Sequence, residues 1–291
     1  MSEQESFSIA RLIAEAARVL ARAGVPEARR EAMSLIEYTI ARDRTFLLTH
    51  PEDALAPSAV RRLRELVERR AEGEPLQYIT GHQEFYGLDF EVTPDVLIPR
   101  PETELLVETA LELLDETNNA PLICDVGTGS GCIPVALLYE EAQEVRAIGL
   151  DISMTALRVA ARNAARHNVR ERLTLIASDC LSALDPRAAR FKMIVSNPPY
   201  VAEAALAGLQ REVREHEPRV ALTPGGDGLR IIRRLIADAP RFLEVGGHLL
   251  MEIGFDQHEA VERLVDPQAW QLLDIHKDLQ GIPRIVALRK K

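Results

Sequence analysis

From residue 121 onward, short apolar runs alternate with runs of helical spacing, and this alternation limits the fold more than any other feature of the chain. Runs of strand length fall at 121–126, 145–150, 172–177, 191–196 and 247–253. Helical patterns lie near 132–140, 153–167, 228–240 and 256–265. Strands that are apolar at nearly every residue are buried on both faces. Separated by helices, they predict a parallel sheet covered on both sides, an α/β architecture. Two later runs, 270–275 and 283–288, predict a closing hairpin.

The preceding residues carry other patterns. Phe7, Ile9, Leu12, Ile13, Ala16, Val19 and Leu20 recur at helical spacing and stop at Gly24. A second helix is expected from about Pro26 to Ile40. A third comes after Pro57-Ser58, with Val60, Leu63, Leu66 and Val67 on one face. Residues 1–75 therefore predict a small helical bundle that carries no recognisable chemistry and suits substrate docking. Residues 76–100 are read as a hairpin linker, because Phe85-Tyr86-Gly87-Leu88-Asp89-Phe90 alternates about a glycine. Residues 101–291 form the third region, opened by Ile98-Pro99-Arg100-Pro101-Glu102-Thr103-Glu104 with a proline in the first helical turn and acids after it.

Composition narrows the classes of function. Apolar residues make up 46% and charged residues 27%, the balance of a soluble globular protein. No uninterrupted apolar run is long enough to span a membrane. The start, MSEQESFSIA, lacks the basic and apolar blocks of a secretory signal. Cys124, Cys132 and Cys180 show no CxxC spacing, so reduced thiols in a cytoplasmic protein are expected, with no metal site. The net charge is −10, and nine of those excess charges lie beyond residue 80. A grip on a long nucleic acid backbone needs a basic excess, so a small ligand or a protein partner fits better. A monomer is expected.

Candidate chemistry sits at the ends of the predicted strands, where open parallel sheets bind their ligands. In 125-DVGTGSG-131 a strand runs into Gly127, Thr128, Gly129, Ser130 and Gly131, then a helix. Such a turn lets the backbone approach a ligand closely at a helix N-terminus. It departs from the G-x-G-x-x-G dinucleotide fingerprint, since Cys132 occupies the last position. Asp151 ends the next strand and either accepts bonds from both hydroxyls of a ribose or caps the helix that starts near Ser153. Asp179 comes after the third strand; it either accepts a bond from an adenine amino group or merely opens a surface loop. Cys180 or Leu181 could lie against the ring.

The fourth strand, Phe191 to Ser196, stops at Asn197-Pro198-Pro199-Tyr200. Proline fixes its own φ and cannot donate to a sheet ladder, so the pair ends the strand and stiffens the turn after it. Asn197 offers a side-chain oxygen and the Pro198 neighbourhood a backbone carbonyl. Two acceptors on a stiff backbone suit a planar NH2 group, and Tyr200 could pack on its face.

This order resembles the (N/D)PP(Y/F) motif of methyltransferases that modify planar nitrogens with S-adenosylmethionine, and DVGTGSG looks like their cofactor motif. The stretches PLQYITGHQEFYGLDFEVTPDVLIPRPETELLVE, NPPYV, EVREHEPRVALTPGGDGL and GGHLLMEIG are similar to the release factor glutamine N(5)-methyltransferase family. The resemblance implies a seven-stranded, Rossmann-like methyltransferase domain behind an N-terminal helical bundle. It implies S-adenosylmethionine as cofactor and the glutamine of the GGQ motif in class 1 peptide release factors as substrate. Gly127 to Gly131 and Asp151 would hold the cofactor, Asn197 would touch cofactor and substrate, and Asn197, Pro198, Pro199 and Tyr200 would receive the glutamine amide. The same pocket would serve a glutamine of a ribosomal protein or adenine N6 in DNA. A cofactor-binding module without catalysis is the reading of another class.

Overall fold

The computed structural model describes residues 7–115, 121–141, 145–188 and 190–291. Two compact units form: one runs to Gly81 and includes Gln210–His216, and the other comprises His82–Leu209 and Glu217–Lys291.

The first unit is helical: α1 (Ile9–Arg22), α2 (Ala28–Ile40), α3 (Arg44–Thr49), α4 (Pro57–Ala71) and α5 (Leu76–Thr80). Ile9, Leu12, Ile13, Ala16 and Leu20 form the buried face of α1. They meet Leu35 and Ile36 of α2 and Val60, Leu63, Leu66 and Val67 of α4 in one apolar cluster. Helix α3 carries no long apolar pattern; it is fixed by Asp43, whose side chain accepts from the Phe46 amide at 2.8 Å. Arg70 is buried and lies between the carboxylates of Glu31 and Glu212, so its charge is paired on both sides.

In the second unit, β1 (His82–Phe85) and β2 (Leu88–Glu91) form a hairpin through Tyr86 and Gly87. Both turn residues have positive φ, the condition of a tight two-residue hairpin loop. The Tyr86 amide donates to Glu104 Oε1 at 2.9 Å, which gives that acid a structural place. The segment read as a linker is thus divided. Helix α5 belongs to the helical unit, while Phe85, Leu88 and Phe90 are buried in the core of the second.

The chain continues through α6 (Glu104–Asp115), β3 (Leu122–Val126), α7 (Cys132–Glu140), β4 (Arg146–Asp151), α8 (Met154–Arg166), β5 (Leu173–Ala177) and β6 (Phe191–Ser196). After the short helices α9 (Arg211–His216) and α10 (Arg219–Leu222) come α11 (Arg230–Asp238), β7 (Leu243–Glu252), α12 (His258–Glu262), β8 (Trp270–Lys277) and β9 (Pro283–Lys290). Seven strands form one sheet in the order β5-β4-β3-β6-β7-β9-β8. The first five are parallel to one another, and β9 runs antiparallel between β7 and β8. Alternate residues serve opposite faces. Ile123, Met193, Val195 and Leu250 belong to one core cluster, and Cys124, Val126, Ile194 and Leu249 to the other. Burial on both faces explains the continuous apolar runs.

The topology positions the site. From β3 the chain moves outward to β4 and β5, then returns to the other side of β3 as β6. The carboxyl ends of β3 and β6 therefore flank a switch point, where a crevice opens.

Asn163 of α8 ties this edge together. It is fully buried; its Oδ1 accepts from Glu91 N at 2.8 Å, and its Nδ2 donates to Glu91 O and Ser130 O at 3.0 and 2.9 Å. Asn163→Ala would strand three backbone groups and should lower the unfolding free energy by on the order of 2–4 kcal/mol. Its neighbour Arg162 pairs with Glu91 near solvent, and Arg162→Ala should cost under about 1 kcal/mol. Urea titration monitored by the fluorescence of Trp270, the single tryptophan of the chain, tests this ranking. Equal losses would contradict it.

Candidate active site

The crevice contains a cavity of about 260 Å3, just below the range of roughly 300–1,000 Å3 typical of small-molecule sites. Its walls come from the loops after β3, β4, β5 and β6, from residues 95–103 and from residues 218–231.

The loop after β3 is built by backbone demands. Gly127, Gly129 and Gly131 all have positive φ, the region where a side chain is costly. Gly131 is also close to α8: a Cβ there would stand 3.0 Å from Ala160 Cβ. Gly127 N and Thr128 N donate to Leu150 O at 2.8 and 2.9 Å, which stitches the loop onto β4.

Asp151 completes the loop. Its Oδ2 accepts from Gly129 N and its Oδ1 from Ser153 N, both at 2.8 Å. Ser153 itself caps α8, because its Oγ accepts from Ala156 N at 3.2 Å. The cap is thereby supplied without Asp151 acting on the first helical turn. A carboxylate has about four lone-pair sites, so two remain for a ligand. Burial raises the Asp151 pKa, opposed by these amides.

Asp179 and Cys180 both line the cavity. Asp179 is already engaged: Arg234 donates to its Oδ1 at 2.7 Å and holds the carboxyl below its ordinary range. Cys180 is buried with φ +51, and burial pushes its thiol up to about 11. Sequence reasoning missed Ile152, which is 62% exposed and lines the cavity beside Asp151. Its signal is an apolar residue next to a strand-end acid.

The loop after β6 is anchored by Ser196, whose Oγ donates to Val126 O at 2.7 Å and joins the ends of β6 and β3. Asn197, Pro198 and Pro199 line the cavity. Among the described residues, the Pro198 carbonyl and Asn197 Oδ1 accept no hydrogen bond. Asn197 Nδ2 donates to Thr103 Oγ1 at 2.9 Å, Thr103 Oγ1 donates to Glu252 Oε2 at 2.6 Å, and Tyr200 Oη donates to Glu252 Oε1 at 3.0 Å. Glu252 is buried, which raises its pKa against the pull of the two hydroxyls and of Arg284.

Tyr200 lies elsewhere than the sequence suggested. It is absent from the cavity wall; its ring packs against the core cluster beside β7. Burial first, and the Glu252 charge second, raise its pKa. A buried phenol needs a hydrogen-bond partner, and Glu252 supplies it. The Gly228 loop presses on the same residue: a Cβ there would stand 2.2 Å from Tyr200 O. Arg100, another cavity residue, pairs with Glu217, whose carboxylate also accepts from Ile98 N at 3.4 Å.

Asp125 is fully buried one residue before the cavity wall, and both its oxygens and Thr128 Oγ1 have no hydrogen-bond partner among the described residues. Burial, opposed by the nearby Thr128 hydroxyl and reinforced by the charge of Asp151, pushes its carboxyl up to about 7. The folded state therefore favours the protonated acid. Stability from this group is full below the ordinary carboxylate pKa and is lost as pH rises through about 7. The melting temperature of cofactor-free Asp125→Asn should fall less than that of the parent between about pH 5 and pH 8. Parallel pH profiles would show that Asp125 is charged in the fold.

The residues suit S-adenosylmethionine. Asp151 offers acceptors to a ribose diol, Ile152 and Cys180 offer apolar walls to a flat base, and no Cβ stands between Gly127 and Asn197. Residues 11–81 match the PrmC N-terminal domain and residues 101–228 the methyltransferase small domain. The chain is 44% identical to a release factor glutamine methyltransferase of Koribacter versatilis (strain Ellin345), covering 92% of this chain and 93% of that protein. It is 42% identical to one of Agrobacterium fabrum (strain C58 / ATCC 33970), covering 97% and 96%. The catalytic domain of hMettl16, solved with the MAT2A 3′UTR hairpin 6, shares the fold at TM-score 0.53 with 17% identity, covering 78% of this chain and 82% of that one.

Proposed function

The chain belongs to the release factor glutamine methyltransferase family, and from that premise we propose that it methylates the side-chain amide nitrogen of the GGQ glutamine in class 1 peptide release factors. In this reading the helical unit, which matches the PrmC N-terminal domain, docks that protein substrate. The observation that carries the chemistry is the pair of unclaimed acceptors at the cavity wall, Asn197 Oδ1 and the Pro198 carbonyl.

S-adenosylmethionine supplies an electrophilic methyl group on a sulfonium. Gly127 to Gly131 would receive it against the loop backbone, and Asp151 would accept its ribose hydroxyls. Asp179 and Cys180 would border the base, with Ile152 nearby.

The chain's own task is to make an amide nitrogen react. That nitrogen is a poor nucleophile, because its lone pair is delocalised into the carbonyl. Asn197 Oδ1 and Pro198 O each accept one N–H of the substrate, which fixes the plane of the amide and turns its nitrogen toward the cofactor side. Both acceptors point at the atom where positive charge grows, so their attraction strengthens in the transition state. Pro198 and Pro199 hold the geometry without reorganisation. Orientation alone contributes up to roughly 7–11 kcal/mol in favourable cases. No base is needed before transfer; the extra proton on the cationic methylated amide leaves afterwards to water. Tyr200 acts from behind the wall by holding Glu252, and no stacking of its ring on the substrate is assigned.

Asn197→Ala should lower kcat by about 10²–10³ and leave cofactor affinity by calorimetry within a few fold. Intact mass of a release factor, a ribosomal protein and a DNA duplex after incubation with cofactor identifies the substrate. One methyl on the release factor glutamine is expected, and none on the others. A parent enzyme that leaves the release factor unmodified, or an Asn197→Ala variant with parental kcat, would overturn the reading.

A further inference from the structure

We propose that Thr103 and Glu252 are positioning residues that decide which end of the Asn197 amide faces the substrate. The inference rests on the role of Asn197 proposed above and concerns what sets that role.

A threonine hydroxyl has one proton to donate. Thr103 is 2% exposed, and its Oγ1 lies 2.6 Å from Glu252 Oε2 and 2.9 Å from Asn197 Nδ2. While Glu252 is ionised its carboxylate can only accept, and the single Thr103 proton is then committed to it. Only a lone pair is left to meet Asn197, and only the NH2 end of that amide can meet a lone pair. Rotating the amide by half a turn would set two oxygens against each other with no proton between them. Asn197 Oδ1 is thereby left for the cavity.

Glu252 is itself held. It ends β7, is 1% exposed, pairs in register with Ile285, and has its other oxygen bonded to Tyr200 Oη at 3.0 Å. One carboxylate thus fixes Asn197 through Thr103 and Tyr200 directly. The hydrogen bonds all run toward it, which leaves no alternative polarity while it is charged.

The consequence is chemical. A glutamine amide offers two reactive atoms, and its oxygen carries more electron density than its nitrogen. A pocket of two acceptors binds the NH2 end and repels the carbonyl end. With the Asn197 amide reversed, the pocket would present one donor and one acceptor, and the substrate amide could enter turned over, with its oxygen where the nitrogen should be. Thr103 and Glu252 therefore act on the choice of nitrogen over oxygen through Asn197.

Thr103→Val keeps the side-chain shape and removes the hydroxyl; Thr103→Ser keeps the hydroxyl and removes the methyl. The valine variant should lose about 10- to 100-fold in kcat, with cofactor affinity near the parental value and a lowered Trp270-monitored melting temperature, because Glu252 Oε2 loses its donor. The serine variant should stay within about 3-fold of the parent in kcat. A role in packing alone predicts the opposite ranking, because serine leaves the cavity and valine fills it. An independent readout needs no methyl transfer. In the free protein labelled with 15N, the Asn197 side-chain NH2 pair, assigned by its loss in Asn197→Asp, should move in Thr103→Val and stay in place in Thr103→Ser. Parental kcat and an unmoved NH2 pair in Thr103→Val, or an equal loss in both variants, would overturn the proposal. A parent protein unable to methylate any glutamine would instead remove the proposed function, and the NH2 comparison would still decide this inference.

Discussion

Within the parallel part of the sheet the chain reverses its course at β3, and the site is arranged around that reversal. Parallel strands joined by right-handed crossovers place their connecting loops on both faces. Where the order turns back, the loops after β3 and β6 lead away from each other and leave a gap between them. The glycine loop and the Asn197-Pro198-Pro199 turn therefore face each other across the gap with Asp151 beside them, whatever their particular chemistry. Ser196 closes the base of the gap by bonding β6 to β3.

Around that gap the structure treats buried polar groups in two ways. Glu252 has both oxygens engaged, by Thr103 and Tyr200. Asp125 has neither engaged among the described residues, and its carboxyl is pushed up to about 7. A satisfied network rigidifies, whereas an unsatisfied acid sheds its charge. The first belongs where an amide must keep one orientation. The second lies inside the sheet, one residue before the loop.

Much of this was legible in the sequence because strand-end positions announce themselves. The runs at 121–126 and 191–196 are largely apolar, and the residues that break them are the glycines and Asn197. Asp151 is the same kind of signal. Other parts were invisible for physical reasons. Helix α3 spans six residues, too short for a periodic pattern, and only its Asp43 cap marks it. The first residues of β7 were missed because Gly246 interrupts the apolar run. Thr103 and Glu252 are 149 residues apart and look like a helix opening and a strand end. Their bond exists only in three dimensions. Tyr200 was read from the motif as packing on the substrate amide, whereas its ring lies against the core cluster beside β7.

The central claim is that two oxygens of the Asn197-Pro198 corner grip the NH2 of the substrate glutamine. A crystal structure with demethylated cofactor and a GGQ peptide tests it most directly. The glutamine nitrogen should lie within about 2.7–3.2 Å of both Asn197 Oδ1 and Pro198 O. A glutamine oxygen bonded to Asn197 Nδ2, or a side chain lodged outside this corner, would contradict it.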